Sequence, residues 1–95
     1  MDDLDEIWSF IASDNEAAAN RVEFGILEAC NLLARNPLIG SKREEITSQP
    51  VRFWVVTRYP NYTVIYRPDT KPLEVISIVH AKRNIRRLVT ERMGS

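Results

Sequence analysis

The sequence predicts an α+β fold, with an N-terminal αα-hairpin packed on a three-stranded antiparallel meander and a short C-terminal helix. Three observations predict it. Apolar residues before Asn36 recur at the spacing of a helix face. After Gly40 the period changes, and β-branched and aromatic residues gather in three runs. Short turn-forming links join those runs, so successive strands should pair antiparallel.

The elements follow in order. Leu4, Ile7, Trp8 and Ile11 stand at i, i+3, i+4 and i+7, which makes one buried face of a first helix with Trp8 in the core. Asp14 or Asn15 then offers an N-cap for a second helix over residues 16–35. Its apolar face is Ala19, Val22, Ile26, Ala29 and Leu33, and Asn36-Pro37 stops it, because proline disfavours the α conformation in the residue before it. Gly25, inside that helix, costs about 1 kcal/mol relative to alanine and marks a close crossing by a neighbour. Val51–Val56, Tyr62–Tyr66 and Leu73–Val79 are the strands, linked through Tyr59-Pro60-Asn61 and 68–72. The third is apolar on both faces, as in a central strand covered by helices. A last helix is expected from Lys82 to about Arg92, with Ile85, Leu88 and Val89 as its stripe.

Length and composition narrow the function. Ninety-five residues make a single domain, residues 1–95. No apolar run approaches the roughly 20 residues of a membrane span. The acidic opening is no secretory leader, so a cytoplasmic setting without membrane contact is expected. One cysteine and one histidine exclude a disulfide framework and a zinc site built from those ligands alone, and no cofactor is expected. The three glycines are scattered, which excludes a phosphate-binding loop. Cys30, on an amphipathic helix, reads as structural.

Formal charge sums to zero but is unevenly distributed. Residues 1–28 hold eight acids and one base, and residues 29–95 hold twelve bases and five acids. Five of those bases lie between Lys82 and Arg92, a surface suited to an anionic or acidic partner. His80 closes the third strand and Arg83 follows three residues on. In a meander the end of the third strand lies beside the start of the second, so His80 should neighbour Tyr62 and, through it, Arg58. Arg67 falls at the opposite end. The candidate site is therefore Arg58, His80 and Arg83, flanked by Arg86 and Arg87. The plainer alternatives are a structural histidine and arginines that only protect strand ends.

Several of these segments resemble the RelE/ParE toxin superfamily. Asp3-Leu4-Asp5-Glu6-Ile7-Trp8, followed by Ile11-Ala12, resembles its first-helix pattern. The stretch from Ala34 through Pro37 to Gly40, with Arg43 after it, resembles its L-x-x-x-P-x-x-G link. Tyr62–Arg67 resembles its Y-x-(V/I)-x-Y strand, and Val75–Asn84 its ParE-type ending V-x-I-x-x-(V/I)-x-H-x-x-R. The resemblance implies the toxin of a bacterial type II toxin–antitoxin system, of the plasmid-stabilization kind, neutralised by a cognate antitoxin.

Members of that family usually carry a strand before the first helix. Here that strand is expected to be absent, through a late start, a lost segment or a shorter sheet. An exposed sheet edge could then pair with a second copy as a homodimer. RelE-type ribosome-dependent mRNA nucleases generally place a ring near the chain end, and Arg92-Met93-Gly94-Ser95 has none. The reading preferred is therefore a ParE-like, non-enzymatic inhibitor of DNA gyrase. Its target-binding residues would be His80, Arg83, Arg86, Arg87 and Arg58. Its antitoxin-binding residues would be Trp8, Ile11 and Trp54, and nucleic acid would be reached only through the antitoxin. The alternatives are a RelE-like endoribonuclease using His80, Arg58 and Arg83, and an inactive relic that keeps antitoxin binding.

Overall fold

A computed structural model describes residues 2–81 and 85–93. Its elements are α1 (Asp2–Ala12), α2 (Glu16–Arg35), β1 (Arg52–Val55), β2 (Tyr62–Arg67), β3 (Glu74–His80) and α3 (Ile85–Met93). The α2 boundaries match those read from the caps. The Asn15 side chain accepts a hydrogen bond from the Ala18 N–H, and the Asn36 N–H closes the last turn on the Leu32 carbonyl. The C-terminal helix was expected from Lys82, but Lys82, Arg83 and Asn84 lie outside the described residues.

The three strands form an antiparallel sheet in the order β1-β2-β3. This corrects one expectation: the apolar third strand lies at an edge and β2 is central. β3 is apolar on both faces because each face is covered. On one face the α1–α2 hairpin packs Leu4, Ile26, Ala29 and Leu33 against Val64, Tyr66 and Ile78. On the other, α3 and the 41–50 loop bring Val89 and Ile46 to Phe53, Ile65 and Val79. Phe53 and Trp54 consequently face different cores, as their alternation requires. Trp8 is a second correction. It is half-buried, not core, and its indole N–H donates to Asn20 Oδ1 at 2.8 Å, linking α1 to α2.

Two glycines are set by close approach. A Cβ on Gly25 would meet Tyr59 Cε2 at 2.5 Å, so the neighbour that crosses α2 is the ring of Tyr59. A Cβ on Gly40 would meet Tyr66 Oη at 2.5 Å. That hydroxyl donates to the Pro37 carbonyl at 2.6 Å and accepts from the Gly40 N–H at 3.0 Å. The Pro-x-x-Gly link and the Tyr-rich strand, 26 residues apart, are thus fastened to each other through Tyr66.

Candidate functional site

Tyr62 and His80 are cross-strand partners at the open end of the β2–β3 pair, so their side chains share the hairpin face of the sheet. Their rings meet edge-on, with centroids 5.3 Å apart and planes at 87°. Both line a groove of about 360 Å³ between α1, β3 and α3, together with Glu6, Phe10, Leu88 and Arg92. Burial pushes the Tyr62 hydroxyl pKa upward. Phe10, 80% exposed, also lines the groove.

At the groove's base, Asp3 turns around the sheet edge. Its Oδ2 accepts from Ser77 Oγ at 2.7 Å and from the Ile78 N–H at 2.9 Å, and its Oδ1 accepts from Arg92 Nη2 at 2.7 Å. Arg92 Nη1 donates to the Ile76 carbonyl at 3.2 Å. Burial alone would raise the Asp3 pKa, but the hydrogen bonds from Ser77, Ile78 and Arg92 together outweigh it and hold it below the ordinary value. Sequence reasoning passed over Asp3 as one of several leading acids. A signal was present, since Asp3 stands at i−4 from Ile7 and so on the edge of the buried stripe of α1.

Arg58 is placed elsewhere. It follows β1 at the expected end of the sheet, but its guanidinium pairs with Glu28 of α2 at 3.1 Å. Its side chain lines two shallow grooves along α2, one with Arg21, Phe24 and Tyr59 and the other with Trp54 and Leu32. The structure therefore groups Arg58 with Trp54 and not with His80. The reason is that the 57–61 turn folds under α2, where Tyr59 fills the notch at Gly25. Arg67, expected at the other end, pairs there with Glu74 at 2.9 Å. Arg86 and Arg87 are exposed on α3, Arg87 in an i,i+4 pair with Glu91 at 3.0 Å. Arg83 lies outside the described residues. Ile11 is half-buried on α1, near Trp8 in sequence, and does not line the groove that holds Trp54.

Burial raises the Cys30 thiol pKa, and the side chain packs against the hairpin core, an environment that disfavours the thiolate. Among the described residues no three His, Cys, Asp or Glu side chains gather to hold a metal ion, and no helix is long and apolar enough to cross a membrane.

A family model described as the ParE toxin of type II toxin–antitoxin system, parDE, matches residues 1–85. The chain belongs to the ParE toxin family. The match runs from α1 through the start of α3 and includes both segments that Tyr66 joins. No curated protein sequence matches the chain. Membership of the ParE family makes the chain a type II toxin and implies a cognate antitoxin as its partner.

Proposed function

We propose that this ParE-family toxin acts by gripping a protein target, DNA gyrase, with its α3 side, and that a cognate antitoxin neutralises it by covering the hairpin. The observation that carries this reading is how Arg92, which lines the groove with His80, and Arg58, expected beside it, are engaged. An RNA-cleaving site needs a proton acceptor together with cations that face the developing charge on the phosphate. Among the described residues, Arg92 is held by Asp3 and the Ile76 carbonyl, and Arg58 is turned to Glu28 in a different groove. His80 instead sits edge-on to Tyr62, a packing arrangement suited to shaping a surface.

On this reading His80, Arg83, Arg86 and Arg87 form the target-facing surface and Arg58 contributes little to it. The hairpin offers the antitoxin Trp8, Ile11 and Trp54, with Phe10 and the 59%-exposed Phe24 as further apolar anchors. A homodimer through β3 would first have to displace Asp3 and Arg92 from the strand edge. The toxin acts in the cytoplasm, where gyrase and the antitoxin are found.

Purified protein should block gyrase supercoiling and leave ribosome-bound mRNA intact. Arg86→Glu/Arg87→Glu should abolish the block, and His80→Ala should weaken it less. Cleavage of ribosome-bound mRNA that disappears in His80→Ala would instead establish the endoribonuclease reading.

A further inference from the structure

We propose that the Asp3–Arg92 pair is a latch, and that α3 opens from the sheet as a unit when the latch releases. This rests on geometry alone and is independent of the target assigned above. α3 is nine residues long and buries only Val89 fully, with Ile85, Leu88 and Met93 half-buried beside it. That apolar contact is small beside the hairpin's, where α2 alone buries Ala19, Gly25, Ile26, Ala29 and Leu33. The polar ties from α3 to other elements are correspondingly important. They include Arg92 to Asp3, Arg92 to the Ile76 carbonyl, a long 3.5 Å contact from Gln49 to the Met93 carbonyl, and the charge attraction between the exposed Arg86 and Glu45.

The latch also closes the strand edge. Outward-facing backbone groups of an edge strand normally invite another strand. Here the Asp3 carboxylate takes the Ile78 N–H as a neighbouring strand's carbonyl would. The Arg92 guanidinium takes the Ile76 carbonyl as a neighbouring N–H would. Two side chains, one from each covering layer, thus occupy hydrogen-bonding positions that a neighbouring strand would use. With Arg92 withdrawn, the Ile76 carbonyl loses its donor, and the Ile65 and Val79 face loses the cover of Val89. The device therefore couples docking of α3, which carries Arg86 and Arg87, to closure of the β3 edge.

The test is amide hydrogen exchange on the full chain, read by NMR. Local opening makes exchange fast in the unit that opens and leaves the rest protected. In the wild type, α3 amides should exchange at least about tenfold faster than those of Ile26, Ala29 and Leu33. Asp3→Asn or Arg92→Gln should accelerate α3 and the Ile78 amide by about fivefold or more, with α2 changed less than about twofold. The double variant should fall well short of the product of the two single effects, because both remove the same tie. Equal exchange of α3 and α2 in the wild type would overturn the proposal without recourse to any variant. So would acceleration spread evenly over the chain, or single effects that multiply fully in the double variant.

Discussion

Arg92 reaches across the edge of the sheet to place Nη2 2.7 Å from Asp3 Oδ1, joining the last helix to the first across 89 residues of sequence. The carboxylate is nearly enclosed, its side chain 9% exposed, whereas Arg92 is 40% exposed. The pair is thus only partly screened by solvent, unlike Arg43–Glu45, Arg58–Glu28, Arg67–Glu74 and Arg87–Glu91, whose acidic partners are all more than half exposed.

A pH dependence follows from Asp3. Its carboxyl is held below its ordinary value of 3.8, so its stabilising contribution is fully present above that value and is lost as pH falls through the lower folded value. Glu6 from α1, His80 from β3 and Arg92 from α3 face the same groove, so their effects must be separated from that of Asp3. Urea denaturation of wild type and Asp3→Asn across pH achieves this. The stability difference should be constant at neutral pH and shrink toward zero in acid below the carboxylate range.

Tyr66→Phe should be costly for a change of one oxygen. It leaves the buried Gly40 N–H and the Pro37 carbonyl without their partner, at a cost of about 1–3 kcal/mol. For a domain of this size that lowers the melting temperature by roughly 4–8 °C per kcal/mol. Gly40→Ala should destabilise as well, because its Cβ meets the same hydroxyl. The double variant should be more stable than the sum of the single losses predicts, as one of the clashing atoms is gone.

Gly25→Ala should reverse the usual helix rule. In an open helix this change gains about 1 kcal/mol, but here the new methyl would lie 2.5 Å from the Tyr59 ring. The urea midpoint should therefore fall. In a Tyr59→Ala background the same substitution should raise it, and a rise in both backgrounds would contradict the packing described.

Arg58→Ala should change stability by less than about 1 kcal/mol, because both partners of its ion pair are more than half exposed. Calorimetry of the variant checks this. The same variant in the supercoiling assay should behave as wild type, in contrast to Arg86→Glu/Arg87→Glu.

Much of this was legible in the sequence, where the physics is local. Asn15 caps α2 and Asn36-Pro37 ends it through interactions that reach no more than four residues, so its limits could be read directly. Alternation placed Phe53 and Trp54 on opposite faces, and meander geometry set His80 beside Tyr62. Gly25 announced a close neighbour but could not name Tyr59, because the turn that carries it is positioned by α2 itself. The grouping of Arg58 with His80 failed for a related reason. Sharing one end of a sheet fixes where a backbone lies, whereas the direction of a long side chain is decided by the nearest opposite charge, here Glu28.

By itself, then, the sequence determined the elements, their order, the α+β class and the toxin family, because periodicity, caps and turn chemistry act over a few residues. The tertiary structure alone decided that Trp8 staples the hairpin surface and that Asp3 and Arg92 meet. Those outcomes depend on which layers stack on which face of the sheet. Contacts between layers join residues whose separation in sequence carries no information about their separation in space.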